Sequence, residues 1–195
     1  MSLLSKLFNA VAPTLKAALQ NKQRSRPDTK RPPAAARPKE PEPARPAPAG
    51  ATTVDSPGRL GSNRTVEVDP HDVGPVRMSY NPEQDGDPDP GEVVWTWVPF
   101  EENNGQGKDR PVLVVAAEPT GTVLTVQLTS KHHEGDNEFM PVGSGDWDSE
   151  HRDSWVNLER VLRVSPNGMR REASSLGRYQ FEKVAARLRE RYNWS

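Results

Sequence analysis

Pro111-Val112-Leu113-Val114-Val115-Ala116 is the stretch on which the fold turns. Behind its proline lie five apolar residues in a row, too few for a helix of ordinary length and too continuous for a strand with one wet face. The run predicts a strand buried on both sides, and such a strand needs protein layers above and below it. Upstream, Gly91-Glu92-Val93-Val94-Trp95-Thr96-Trp97-Val98 is β-branched and aromatic, is flanked by prolines, and predicts a partner strand. A polar loop over 101–109, with Gly105 and Gly107, separates the two. Downstream, Pro119-Thr120-Gly121 turns the chain into residues 122–129. There Val123, Thr125, Gln127 and Thr129 alternate with Leu124, Val126 and Leu128, the period of a third strand.

Further from the centre the signals shorten. Residues 131–153 are polar, with a short strand expected near Phe139-Met140-Pro141-Val142. Ser154-Trp155-Val156 and Arg160-Val161-Leu162-Arg163-Val164 predict two more strands. A helix is expected from about Gly177, with Phe181, Val184, Ala185, Leu188 and Tyr192 as its buried stripe and basic residues in its last turns, where they suit the dipole. Five or six short strands and one helix predict a mainly β domain, a small barrel with the helix packed against it.

Composition limits what surrounds this domain. Of 195 residues only 33% are hydrophobic and 20 are Pro, so one core through the whole length is not expected. The formal charge of −1 conceals an asymmetry: residues 1–60 carry 11 Lys and Arg against 4 Asp and Glu, while residues 61–195 carry 15 against 23. Residues 1–20 predict an amphipathic helix with Leu3, Leu4, Leu7, Phe8, Val11, Leu15 and Leu19 on one stripe and Pro13 as a kink. Weak docking of that segment on a membrane surface or a partner groove is the functional expectation. Residues 21–90 are expected to be a disordered linker, Pro-rich and basic at first, acidic towards Pro90, with the folded part beginning at Gly91. The absence of Cys excludes a disulfide framework, thiol catalysis and a Cys-ligated zinc, and fits a cytoplasmic location. No run reaches the ~18–20 apolar residues of a membrane span.

Several chemistries fail on spacing. Gly105-Gln106-Gly107-Lys108-Asp109 lacks the first Gly and the Ser or Thr of a phosphate loop, and a strand follows where a helix should. His132-His133-Glu134-Gly135-Asp136 has no helical metal-binding spacing and no third His nearby. The acidic run 82–90 lacks the bidentate Glu of a calcium loop, and no nucleophile elbow is present. One cluster survives. Arg110 precedes an apolar strand and Thr129-Ser130 closes the next one, and antiparallel neighbours bring such ends together, with His132 and His133 close by. An arginine fork and hydroxyls suit a phosphodiester, and a 2′-hydroxyl as nucleophile makes RNA the natural substrate. The structural alternative is that Arg110 pairs with Glu101, Glu102 or Asp109 and that Thr129 merely ends a strand.

From Gly91 onward the order of motifs resembles the PemK/MazF family of toxin endoribonucleases from type II toxin–antitoxin systems. The pieces are Gly-Glu-Val-Val-Trp (91–95), a Gly-containing loop, Lys-Asp-Arg-Pro-Val-Leu-Val-Val (108–115), Leu-Thr-Ser (128–130), Ser-Trp-Val-Asn-Leu-Glu-Arg-Val-Leu-Arg-Val (154–164) and the C-terminal helix. Gly-Ser-Gly-Asp-Trp-Asp (143–148) resembles longer, actinobacterial-style members.

The resemblance implies an SH3-like barrel, a homodimer, and cleavage of single-stranded RNA without metal or other cofactor, leaving 2′,3′-cyclic phosphate and 5′-hydroxyl ends. It implies Arg110 and Thr129 as catalytic residues, with Ser130 adjoining, and an antitoxin protein as neutralising partner; Lys108, Gln106 and Asn104 in the loop, with Ser130 and His132 of the edge cluster, are expected as substrate contacts. Two features depart from the family pattern. Asn-Gly-Gln-Gly-Lys (104–108) stands where many members have Gly-Ser-Glu-Gln, and the 131–153 insertion is long and acidic. The alternative reading is a non-catalytic barrel that binds protein or nucleic acid, with Trp95, Trp97, Trp147 and Trp155 as a peptide-binding surface.

Overall fold

The computed structural model describes residues 56–195 except Gln84 and Asn103, so the expectations for residues 1–20 and 21–55 lie outside the described residues. Seven strands and one helix follow in chain order: β1 (Val66–Val68), β2 (Glu92–Pro99), β3 (Gly107–Ala117), β4 (Val123–Thr129), β5 (Phe139–Gly143), β6 (Ser154–Val164), β7 (Met169–Ser175) and α1 (Arg178–Tyr192). The strands form one antiparallel sheet in the order β1-β6-β4-β3-β2-β7, with β5 also paired to β6. The protein is mainly β with a C-terminal helix, as its sequence predicts.

The apolar run of β3 is buried on both faces. Leu113, Val115 and Ala116 join a large cluster with Val93, Leu124, Val126, Leu128, Val156, Leu158 and Val161, and the stripe of α1 closes it through Phe181, Val184, Ala185, Leu188 and Tyr192. Val112 and Val114 face the other way and meet Val94, Val98, Val123, Leu162, Val164 and Met169. These eight residues come from β2, β3, β4, β6 and β7, so the sheet curls and covers its second face with itself. α1 ends as its sequence suggests: Asn193 takes the left-handed conformation (φ 56°) and donates its N–H to the Arg189 carbonyl, while Arg189 and Arg191 occupy the last turn.

Three expectations need correction. Residues 56–90 are not a coreless linker. β1 pairs with β6 (Val66↔Arg163, Val68↔Val161), and Val76 and Met78 are buried in the large cluster. The Tyr80 hydroxyl donates to the Leu176 carbonyl (2.9 Å), and Trp194 Nε1 donates to the Pro70 carbonyl (3.1 Å). Their apolar residues are too scattered to show a period, and they fold because β6 and α1 offer them a surface. Secondly, the two strands expected over 154–164 are one, and β7 follows it unannounced because Arg170, Arg171 and Glu172 mask its period. Thirdly, there is no tryptophan surface. Trp97, Trp147 and Trp155 are buried, Trp147 donates to Ser154 Oγ (3.1 Å), and Trp95 is half-buried. Met140, Val142 and Trp147 carry the polar insertion into the core.

The ends of the curl meet at one crowded junction. Thr96 Oγ1 donates to the Gly168 carbonyl (2.7 Å) and lies 2.6 Å from Thr65 Oγ1, while the Trp97 N–H donates to the Pro57 carbonyl (3.0 Å). Gly58 sits in the middle with φ +79°, and a Cβ there would come within 2.4 Å of both threonine hydroxyls and 2.6 Å of the Gly168 carbonyl. Gly58→Ala is therefore expected to cost about 3 kcal/mol or more, against about 1 kcal/mol for Gly74→Ala, which has φ +78° in open space. Thermal melts of the two variants check this; equal losses would show that the junction does not hold the sheet closed.

At the opposite end of β3, Glu118 accepts bonds from Arg163 Nε (2.6 Å), Arg163 Nη2 (2.7 Å) and Thr122 Oγ1 (2.6 Å). Burial raises the carboxyl's pKa, but the bonds from Arg163 and Thr122 outweigh it and hold the group below the usual carboxylate range. A depressed folded pKa means stability that is present above the unfolded value and is lost as pH falls through the folded one. Between pH 6 and pH 3 the wild type should accordingly lose more melting temperature than Glu118→Gln.

Candidate active site at the mouth of the curled sheet

The β2–β3 register sets Thr96 opposite Arg110 and Trp97 opposite Asp109, so neighbouring residues of β3 face opposite sides. Arg110 follows Val112 and Val114 onto the inner face, at the point where the apolar lining ends. Pro111 supplies no N–H, and the ladder to β4 begins only at Val112↔Gln127. Carried two residues further, that register sets Arg110 across from Thr129, which itself pairs with Trp155 of β6. Thr96 pairs with Arg110 across β2 and β3, Thr129 pairs with Trp155 across β4 and β6, and the extended register lines the two pairs up in one row.

Arg110 is half-buried, and its side chain has no hydrogen bond or ion pair among the described residues. Asp109, a candidate partner on sequence grounds, faces outward and pairs with Arg170 Nη1 (2.6 Å). Burial, and after it the charge of Arg160, pull the Arg110 pKa below the ordinary arginine value. An unpaired cation held out of water costs stability unless an anion arrives to meet it.

The other expected contacts are distributed along the rim. Thr129 Oγ1 accepts the Lys131 N–H (3.1 Å), and Ser130 and Lys131 are exposed. His132 is exposed, packs its ring edge-on against Trp155 (5.0 Å between centroids) and bonds Glu134 through Nε2 (3.1 Å). His133 turns away to stack on Phe139, so the two histidines do not converge. In the β2–β3 loop Asn104 Oδ1 accepts the Gln106 N–H (2.9 Å), a tie within the loop, and Asn104, Gln106 and Lys108 are all exposed.

Two residues of this face escape the sequence reading. Gln127, opposite Val112, is buried and its amide has no hydrogen-bond partner among the described residues. Its signal is the polar half of the β4 alternation, Thr125-Gln127-Thr129, which reads as a wet face but is turned inward. Arg160 is buried and bonded to Glu67 and to the Pro99 carbonyl. No local pattern announces it, because its partners are 93 and 61 residues away in sequence.

Replacing Arg110 by Met should leave the melting temperature unchanged or raise it, by up to about 1 kcal/mol of stability, because the variant removes an unpaired half-buried charge that a second arginine repels. A loss of several degrees would mean that Arg110 holds the fold together.

The family model of PemK-like, MazF-like toxins of type II toxin–antitoxin systems matches residues 89–191. Two solved structures, both crystal structures of MazE-MazF from Deinococcus radiodurans, are 17% identical with a TM-score of 0.41. The Form-III match covers 55% of this chain and 98% of that one, and the Form-II match covers 60% and 100%. None of the curated proteins matches. The family model spans more than half of the sequence, and the chain belongs to the PemK-like, MazF-like toxins of type II toxin–antitoxin systems.

Proposed function

We propose that the protein is an endoribonuclease toxin that cleaves single-stranded RNA at the mouth of the curled sheet. The observation that carries this reading is the half-buried Arg110 guanidinium, without a partner among the described residues and in one row with Thr129. The RNA 2′-oxygen attacks the adjacent phosphorus and the bond from phosphorus to the 5′-oxygen breaks, which gives a 2′,3′-cyclic phosphate and a 5′-hydroxyl. Arg110 donates to the non-bridging oxygens as negative charge grows on them and, from its place beside the phosphate, passes a proton to the departing 5′-oxygen. The proton of the 2′-hydroxyl is released to solvent and replaces the one delivered. Thr129 holds the scissile phosphate through its hydroxyl. Ser130, His132, Lys108, Gln106 and Asn104, all exposed around the rim, contact the flanking nucleotides. The partners that go with this reading are a second copy of the chain and an antitoxin that neutralises it.

Purified protein is expected to cut a long single-stranded RNA, to leave 5′-hydroxyl ends, to spare DNA of the same sequence, and to keep its activity in a chelator. Arg110→Ala should lose about 100- to 1,000-fold in rate and Thr129→Ala about tenfold or more. Undiminished cutting by Arg110→Ala, or ends that carry 5′-phosphate, would sink the proposal.

A further inference from the structure

Arg160 is seated unlike the other arginines of the sheet. It springs from β6, yet its Nη2 donates to the Pro99 carbonyl at the end of β2 (2.9 Å), with β4 and β3 between those strands in the sheet order. The side chain therefore crosses the inside of the curl at its mouth. From β1, Glu67 Oε2 accepts bonds from Nε (3.1 Å) and Nη2 (2.5 Å), and the Arg160 side chain is only 10% exposed. These contacts occupy Nε and Nη2. Nη1, with two N–H groups, donates to nothing among the described residues. A second guanidinium, that of Arg110, stands in the same mouth opposite Thr96, three residues before Pro99, and its side chain donates to nothing among the described residues. The unpaired Arg110 and the free Nη1 edge of Arg160 offer donors at one rim to an anion that reaches it.

We propose that Arg160 is a second phosphate-binding residue of this site, aimed by Glu67 as its positioning residue, and that its free Nη1 edge takes an RNA phosphodiester beside the one held by Arg110. The proposal rests on the ribonuclease reading above. It adds a component from outside the family's span: Glu67 lies before residue 89, so this chain completes its site with a strand that the family match does not include.

The test uses the full chain, a cleavable RNA oligonucleotide and its 2′-O-methyl counterpart, which keeps the phosphates and lacks the nucleophile. Arg160→Gln should raise KM about tenfold while kcat stays within about twofold, and should lower the slope of log affinity for the 2′-O-methyl RNA against log salt by ~0.7, the share of one phosphate contact on a single strand. Because Arg160→Gln leaves Glu67 unpaired, Glu67→Gln/Arg160→Gln is measured beside it. That variant buries no charge and should melt close to the wild type, with the same rise in KM and the same loss of slope. Wild-type KM and slope in the double variant overturn the proposal while leaving the nuclease standing, provided Arg110→Ala still abolishes cutting. If the wild type cuts no RNA and Arg110→Ala binds the 2′-O-methyl RNA equally well, the ribonuclease reading fails and this inference fails with it.

Discussion

Residues 112–116 of β3 have no side that tolerates water, and both sides must be covered at once. α1, with Val76 and Met78, covers one side. The other is covered only if the sheet bends round until β2, β4, β6 and β7 reach the same cluster. Bending brings the ends of the sheet together, and the Thr65, Thr96 and Gly168 contacts around Gly58 are where they lock. A curled sheet has an inside, and the inside has a rim where the apolar lining stops. Arg110, Gln127 and Thr129 stand at that rim, so the chemical groups occur where the core of β3 runs out.

Electrostatics sharpen that contrast. Residues 91–195 carry 13 Lys and Arg against 16 Asp and Glu, a poor balance for holding a polyanion by long-range attraction. The average hides how the charges are spent. Arg163 pairs with Glu118, Arg170 with Asp109, Arg171 with Glu92 and Arg152 with Asp148. The partners in these pairs neutralise one another and leave Arg110 as a local centre of positive charge. Selective contact with one or two phosphates needs such a centre more than it needs a basic surface.

The sequence showed the parts of the fold that declare themselves locally. β2, β3, β4 and the stripe of α1 are legible because their periods are long and uninterrupted. β7 and β1 are not: charged residues break the first, and the second has three residues whose neighbour is nearly 100 positions away. The same division runs through the site. Arg110 and Thr129 could be matched from the ends of adjacent strands, since antiparallel register is a local rule. Arg160 reads on paper as the first residue of a separate strand, and only the curl turns it inward. The tryptophans show the opposite error, where large aromatics suggested an exposed binding face and packing took three of the four into the interior.

β1 also decides where this protein can be shortened. Its three residues occupy the outer edge of β6 between Val161 and Arg163, while the chain after it delivers Val76 and Met78 to the helix face. A recombinant fragment trimmed to the family's own limits would begin beyond all of these. It would present a bare strand edge and an uncovered apolar patch, which are the ingredients of self-association. Such a fragment would fail as an enzyme preparation for colloidal reasons, and its silence in an assay would say nothing about the residues at the rim.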